Sequence, residues 1–221
     1  MTYQWSFGFL WEYRTIIAQG LLITILFTIG TNLAGLAIGL VVGLARLLMP
    51  TIVQLPLIAY IELFRCTPLL VQLVWIYYAL PVLIGVNIPA YTAGALALSL
   101  YAGSFYAEIF RGGVSAIDRG QWDAARAVGM RQGHVLRRIV LPQAFRLTIP
   151  PIINQTVLQL KNTSLISTLA VGDLLYQGSI ITAATYRPLE VYTMVAVLYF
   201  AVLFPTTQLA RCVETWLSRG R

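Results

Sequence analysis

The chain has 221 residues, of which 58% are hydrophobic and only 10% are charged. Soluble domains carry about a quarter of charged residues, so this composition excludes a soluble protein and indicates a chain that lies in a membrane. The net charge of +7 comes from basic residues between apolar segments, and no basic domain is present outside them to bind nucleic acid.

The first predicted span covers residues 16–44, inside a long uncharged stretch. About 20 apolar residues cross a bilayer as a helix, so this segment is long enough to do so. Four glycines fall near one face of that helix: Gly30, Gly35, Gly39 and Gly43. They either allow a second helix to approach closely or are scattered membrane glycines with no special partner.

The second and third predicted spans cover residues 52–80 and 91–110, and Pro and Gly residues between them end the second helix. The second span is interrupted by Glu62, Arg65 and Pro68. Ionisable groups within a span cost about 2.5 to 3.5 kcal/mol each on insertion scales and indicate a functional site by default. Since the acid and the arginine are one helical turn apart, they can instead pair with each other.

Residues 111–146 form the only extended polar region, with seven arginines but only two acids, Asp118 and Asp123. The fourth and fifth predicted spans follow at residues 147–171 and 191–210. The whole chain is therefore predicted to be an all-α integral membrane protein. It forms one transmembrane domain, residues 1–221, with five transmembrane helices and a helical loop between the third and fourth.

The arginines predict which side each loop faces, because Lys and Arg near span ends stay on the cytoplasmic side. A cytoplasmic loop at 111–146 puts the N-terminus outside and the C-terminus inside. Arg46, the seven loop arginines, Arg211, Arg219 and Arg221 then lie inside, whereas only Arg14 and Arg187 lie outside. A sixth span would destroy this asymmetry.

The loop carries a spaced motif. Asp123-Ala124-Ala125 is followed after three residues by Gly129 and after nine more by Ile139-Val140-Leu141-Pro142. Residues 121–128 are predicted to form a short helix of small and apolar side chains, with Gly129 in the left-handed position that ends a helix. Small side chains let the cleft of another protein close around the backbone. The alternative is an ordinary helix that only turns the chain between two spans.

This spacing resembles the loop shared by permease subunits of bacterial ATP-binding-cassette importers, which have Glu where this chain has Asp123. The resemblance implies that the element docks into a separate ATPase subunit through Asp123, Ala124, Ala125, Gly129, Ile139, Leu141 and Pro142. No phosphate-binding Gly-x-x-x-x-Gly-Lys-Ser/Thr motif occurs, so the chain is expected not to bind ATP itself and not to be an enzyme. ATP and Mg are expected on the partner subunit, and no cofactor or metal on this chain.

Further partners are implied by the same resemblance. They are two ATPase subunits, a second permease that is identical or related, and a solute-binding protein that is periplasmic or lipid-anchored. The location implied is the bacterial cytoplasmic membrane. The mechanism implied is alternating access, in which ATP binding moves the loop helices and switches the side on which paired permeases are open.

Four further stretches, at residues 62–72, 106–112, 118–121 and 161–165, resemble the polar amino acid branch of these importers. Cys66 departs from the small residue usual in that branch. The resemblance implies a polar amino acid as cargo without selecting one. The substrate path is predicted to include polar groups in the second and fourth spans: Lys161, Asn162, Thr163, Ser164, Gln155, Thr67, Pro68, Glu62 and Arg65.

Lys161 has two interpretations. It either donates to the carboxylate of a zwitterionic substrate, or it extends its ammonium to the membrane surface or makes a structural ion pair. Two other functions are considered for the whole chain. A channel or secondary carrier would need no motor, but the internal repeats common in such carriers are absent from the sequence. An intramembrane hydrolase would use Ser104 or Ser164, but no predicted span contains a histidine to serve as base.

Overall fold

The computed structural model describes residues 3–218, and every regular element within them is helical. Arg219 and Arg221, which were predicted to lie inside, are outside the described residues. Within residues 3–218 a short 3-10 helix, Gly8–Trp11, precedes eight longer helices. These are α1 (Arg14–Leu48), α2 (Thr51–Cys66), α3 (Leu69–Ile84), α4 (Ala90–Ser115), α5 (Arg119–Ala127), α6 (Gln132–Leu169), α7 (Leu174–Thr185) and α8 (Pro188–Ser218).

Three of these helices, α1, α4 and α8, are each long and apolar enough to cross a membrane. Two pairs, α2 with α3 and α6 with α7, pass the same test together but are bent by 111° and 47° at a short break. Counting each bent pair as one span gives up to five spans by length and composition. The prediction of an all-α membrane protein is confirmed, whereas the five-span count and the sides of the two termini stay predictions.

The second predicted span, residues 52–80, is two helices joined at Thr67 and Pro68. Proline has no N–H to donate and forces the residue before it out of helical geometry. Thr67 is accordingly extended, with φ −113° and ψ 144°. Of the Pro and Gly residues predicted to end the second helix, Pro81 lies within α3 and Gly85 follows its last residue. Gly85 is left-handed with φ +69°.

The predicted loop at residues 111–146 is mostly helical, and its non-helical part is short. α4 extends to Ser115 and α6 begins at Gln132, so residues 116–131 alone connect the two helices. α6 also covers nearly all of the fourth predicted span, 147–171. Polar residues end the contact of a helix with lipid but not the helix itself, so the polar region 111–146 includes the end of α4 and the start of α6.

The sequence analysis did not predict α7. Ala170 follows the end of α6 in the left-handed conformation, with φ 56°. Asp173 then caps the new helix, since its Oδ1 accepts a hydrogen bond from the backbone N–H of Tyr176 at 3.0 Å. With 12 residues, α7 is too short to cross a bilayer alone. α8 extends beyond the fifth predicted span, 191–210, at both ends.

Helices α1 and α4 pack along each other through the predicted glycine face. A Cβ added at Gly35 would lie 2.6 Å from the Cβ of Ala102, and one at Gly43 would lie 3.0 Å from the carbonyl oxygen of Ala107. Gly39 is equally tight, but nothing lies within 4 Å of a Cβ at Gly30. Close approach of a second helix is therefore confirmed for three of the four glycines.

A buried polar network crosses from α1 through α4 to α6. The Tyr106 hydroxyl donates to Asn32 Oδ1 at 2.6 Å and lies 3.1 Å from the Thr156 hydroxyl. Gln159, which is fully buried, donates from Nε2 to the Leu98 carbonyl at 2.9 Å. Such bonds join helices in a membrane, where polar groups have no water to satisfy them. The network fixes the relative position of these three helices.

Candidate functional site

Helix α5 is closed at both ends by hydrogen bonds that its own sequence supplies. At its start, Asp118 Oδ1 accepts from the backbone N–H of Gly120 at 2.6 Å. At its end, Gly129 is left-handed with φ +75° and donates to the Arg126 carbonyl at 2.9 Å, while Met130 donates to the Ala125 carbonyl at 3.1 Å. This pair of bonds is the Schellman arrangement, so the predicted role of Gly129 in ending the helix is confirmed.

One side of α5 is buried against a small apolar core. Ala125 is 4% exposed, and it packs in a cluster with four buried side chains from neighbouring segments: Ile117, Val135, Val140 and Ala144. The opposite side is open. Ala124 is exposed, Val128 is 76% exposed and the Asp123 side chain is 74% exposed. A rigid helix with small and apolar exposed groups is suited to docking in the cleft of another protein.

The second half of the motif forms the platform beneath α5 and not its exposed face. Ile139 lies in a π-helical turn at the start of α6 and packs against the small apolar core. Leu141 is half-buried and Pro142 is exposed. Pro142 has no backbone N–H to donate, and the Gln143 side chain donates to the Ile139 carbonyl at 3.0 Å. The predicted coupling residues are thus together, with Asp123 and Ala124 outside and Ala125 and Ile139 packed inward.

A group of ion pairs joins α1 and α4. Glu108 on α4 pairs with Arg46 at the end of α1, and its Oε2 lies 2.8 Å from a terminal guanidinium nitrogen of Arg111. The Glu108 side chain is only 18% exposed. Glu108 could have been found in the sequence as an acid in an otherwise apolar segment, but the predicted site residues did not include Glu108. This contact places the two arginines at the same end of the bundle, as their predicted cytoplasmic position requires.

The break between α2 and α3 is held by Gln72, a residue that the predicted site omitted. Its Nε2 lies 2.8 Å from the Phe64 carbonyl, 3.0 Å from the Thr67 carbonyl and 2.7 Å from the Thr67 hydroxyl. These acceptors are near the end of α2, where Pro68 interrupts the helical hydrogen bonds. An unsatisfied backbone carbonyl in a membrane is costly, so Gln72 stabilises the break.

Glu62 and Arg65 are both exposed on α2 but are engaged differently from the predicted mutual pair. The Cys66 thiol donates to Glu62 Oε2 at 3.3 Å. The Arg65 guanidinium lies over the Phe105 ring, 5.4 Å from its centroid. Among the ion pairs of residues 3–218, none joins Glu62 to Arg65. Both charged groups thus lie on the surface beside the break and contact other partners.

Lys161 lies at the surface between α6 and α8. It lines an open groove of about 360 Å³ with seven other side chains: Ser164, Leu175, Tyr192, Val195, Ala196, Tyr199 and Leu203. None of the ion pairs found within the described part of the chain involves Lys161. An ion pair with another residue of 3–218 therefore does not explain this lysine.

Other predicted path residues lie at different depths. Gln155 is buried, and Thr163 is fully buried with its hydroxyl donating to the Leu160 carbonyl at 2.7 Å. Asn162 is half-buried beside Lys161 in the chain. Thr67 and Pro68 lie at the break between α2 and α3. The structure thus puts Lys161 and Ser164 in one groove and distributes the remainder over the broken helices and the interior.

Comparisons of the sequence with known proteins agree on one family. The family model described as "Binding-protein-dependent transport system inner membrane component" matches residues 35–219. The glutamine transport system permease protein GlnP of Escherichia coli (strain K12) is 33% identical over 97% of both chains. The arginine transport system permease protein ArtQ of Bacillus subtilis (strain 168) is 34% identical over 90% of both chains.

Solved structures give the same result. A chain from the crystal structure of an amino acid ABC transporter with histidines superposes with a TM-score of 0.91 and is 34% identical, covering 96% of this chain and 99% of that one. A chain of the MetNI methionine ABC transporter in an inward-facing conformation superposes with a TM-score of 0.70 at 21% identity, over 95% and 99% of the two chains. The second similarity concerns the fold alone.

Proposed function

This chain belongs to the family of binding-protein-dependent transport system inner membrane components, and we propose that it pairs with a second permease to form the alternating-access path for a polar amino acid. It is the membrane subunit of an amino acid importer of the ATP-binding-cassette class. We propose that residues 1–221 act as one transmembrane domain in the bacterial cytoplasmic membrane, with five spans and the N-terminus outside.

The observation that carries this proposal is the geometry of α5. A helix closed by Asp118 and Gly129 holds Ala124 and Val128 outward on a small apolar core that continues into α4 and α6. A force applied to α5 is transmitted to these two long helices, because the core is close-packed and not easily deformed. This is the coupling that an external motor needs in order to change the relative stability of two states of the path.

We propose that ATP and Mg bind two separate ATPase subunits that dock on α5, because the sequence contains no phosphate-binding loop of its own. The second permease is either identical or a related chain. A solute-binding protein, periplasmic or lipid-anchored, delivers the cargo. Each of these partners is expected from the family, in which transport depends on a binding protein.

The proposed cargo is a polar amino acid. Relatives that cover 90% or more of this chain are described as glutamine and arginine transport permeases, and one solved relative as an amino acid transporter. Lys161 supports the same class, since its ammonium lies in an open groove without an ion-pair partner among the described residues and can donate to a carboxylate. Ser164 in the same groove adds a hydroxyl.

The path proposed for this cargo follows the broken helices. Thr67 and Pro68 lie at one break, and Glu62 and Arg65 are exposed beside it. Lys161, Asn162 and Ser164 precede the other. Breaks within membrane helices are tolerated where the backbone is buried in protein or faces a cavity, and they are common at substrate sites of transporters. Gln155 and Thr163, which are buried, are proposed to support this region from behind.

The test is to block α5 without unfolding the chain. Ala124→Arg places a long charged side chain on the exposed face, and we expect it to abolish uptake of labelled glutamine or arginine by proteoliposomes that contain the chain, its ATPase and its binding protein. Stimulation of ATP hydrolysis by the binding protein is lost with it. Gly133→Arg is the matched control, since nothing lies within 4 Å of a Cβ there and the residue is outside α5. Normal uptake with Ala124→Arg refutes the proposal.

A further inference from the structure

The N-terminal segment, residues 3–11, is bound to the beginning of α8 at the other end of the sequence. The Tyr3 hydroxyl donates to Glu190 Oε2 at 2.5 Å, and the backbone N–H of Ser6 donates to Glu190 Oε1 at 3.2 Å. Arg187 lies 3.2 Å from the same carboxylate and 5.8 Å from the centroid of the Phe9 ring. Glu190 itself is fully buried. The segment is thus held in place by one buried carboxylate.

The outer surface of this segment is aromatic and exposed. Trp5 is 55% exposed, Phe7 is 47% exposed and Trp11 is 73% exposed. The Trp5 ring stacks on Phe7 with centroids 5.7 Å apart. Residues 3–11 contain no acid or base, so the segment carries no charged group of its own. Each of these three rings therefore leaves about half or more of its surface uncovered by the rest of residues 3–218.

The backbone of this segment sets the depth at which it can lie. Residues 3–7 are not helical, and a lipid-exposed irregular backbone is not tolerated in the hydrocarbon core of a bilayer. Exposed tryptophan and phenylalanine rings equally disfavour bulk water. Both requirements are met only at the boundary between headgroups and acyl chains, where aromatic side chains are enriched in membrane proteins.

The neighbouring elements fit the same depth. The segment runs directly into α1, whose apolar helix is long enough to cross the membrane. Arg14 marks that junction, with its guanidinium 5.2 Å from the centroid of the Trp11 ring and a donor 3.0 Å from the Trp11 carbonyl. On the α8 side, the Arg187 side chain is 43% exposed. Two cations at this level are placed to contact lipid phosphates.

We propose that residues 3–11 are a membrane-surface anchor, which lies in the headgroup region of the phospholipid bilayer and is fixed there by Glu190. The anchor holds the beginnings of the first and last long helices at one common depth. The partner is the lipid interface and not another protein, because only two residues, Glu12 and Tyr13, join the segment to the membrane helix α1, so the segment must lie close to the bilayer surface.

The test is the immersion depth of spin labels on the full chain in phosphatidylcholine vesicles, measured from relaxation by oxygen and by a water-soluble nickel chelate. Cys66→Ser and Cys212→Ser remove the native thiols, and Trp11→Cys or Phe7→Cys carries the label. Val128→Cys, exposed on α5, is the reference for water. Leu33→Cys, 63% exposed within the membrane helix α1, is the reference for the lipid interior. We expect both N-terminal labels to lie between the two references. Values equal to those at Val128 would overturn the proposal.

The role of Glu190 is tested separately with the label at Trp11. Glu190→Ala removes all three contacts, so the label should become more mobile and its nickel accessibility should shift toward the aqueous reference. Glu12→Ala changes the exposed acid that directly follows the segment and should leave both readings unchanged. Unchanged mobility in Glu190→Ala would overturn the anchoring role. A shallow label that becomes protected only when a solute-binding protein is added would identify a protein-docking surface and refute the lipid assignment.

Discussion

In the α1–α4 pair, backbone meets backbone across glycines, whereas at the break between α2 and α3 two helices join at 111° through the side chain of one glutamine. The first contact has no space to give and resists sliding. The second leaves a short extended link, Thr67 and Pro68, that can change its angle at the cost of a few hydrogen bonds. An alternating-access subunit needs both a rigid body and an element with two positions.

The polar groups follow the same division. Within α1 and α4 they are buried and bonded to each other, as with Tyr106 and Asn32. Along the broken helices the polar groups include exposed charged side chains, such as Arg65 and Lys161. This contrast indicates that the glycine-packed pair is the rigid part of the chain and that the broken helices are the part that changes position during transport. Four substitutions test this division.

The largest effect is expected from Gly39→Leu. A Cβ at this position would lie 2.9 Å from the backbone nitrogen of Ala107, and backbone cannot move aside as a side chain can. Overpacking of this kind costs about 1 to 3 kcal/mol and occasionally more. The variant should unfold at a lower temperature in detergent and accumulate poorly. Gly30→Leu, where the space is open, should behave like the parent, and equal damage by both would break the comparison.

Lys161→Met is expected to remove function but not structure. The ammonium is exposed in its groove, so its loss should abolish amino acid uptake while assembly with the ATPase and the unfolding temperature stay unchanged. Co-purification of the ATPase measures assembly. Lys161→Arg, which keeps a positive donor, should retain part of the uptake. Full uptake by Lys161→Met would contradict a role in the path.

Gln72→Leu should weaken the break without unfolding the bundle. It removes the hydrogen bonds to the Phe64 and Thr67 carbonyls, each worth about 0.5 to 1.5 kcal/mol. At about 1.4 kcal/mol per factor of ten, the loss of one such bond reduces the population of the competent bend by about 2- to 12-fold, and uptake should fall by a factor in this range. Gln54→Leu, which loses one exposed bond to the Met49 carbonyl, is the matched control. Equal uptake by the two variants would show that the bend does not depend on the hydrogen bonds of Gln72.

Asp123→Glu should have the smallest effect, less than about twofold on uptake and on stimulated ATP hydrolysis. The side chain is exposed, and its contact with Arg126 is long at 3.8 Å, so it is a weak surface pair. The longer acid keeps the charge on the exposed face of α5. A large loss of stimulated hydrolysis would show that docking of the ATPase depends on the length of the side chain at position 123.

The sequence predicts those parts of the fold that depend on local chemistry. The end of α5 at Gly129 needs only a residue that tolerates positive φ, and the glycine face of α1 needs only a helical period. The sequence predicts an interruption at Thr67 and Pro68 but not its 111° angle, and it does not predict α7. The angle and α7 both depend on where the chain packs after a break. A 12-residue apolar stretch such as α7 is equally compatible with a non-helical connection between two spans.

Site residues divide in the same way. Asp123 and Ala124 were found through their spacing in the motif, and Lys161 through the cost of a charge in a span. Gln72 and Glu108 were missed because their roles depend on partners in other turns or other helices. Gln72 is eight residues from Phe64, and Glu108 contacts Arg46 across 62 residues of chain. The residue pattern within one helix does not show contacts between residues this far apart in the chain.

The central claim, that α5 is the surface gripped by an external ATPase, is tested most directly by photo-crosslinking. A benzophenone amino acid in place of Val128, which is 76% exposed on α5, should form an adduct with the ATPase subunit in native membranes, and the same group in place of Trp11 should not. An adduct between position 128 and an extracytoplasmic protein, or none with the ATPase while position 11 forms one, would contradict the account.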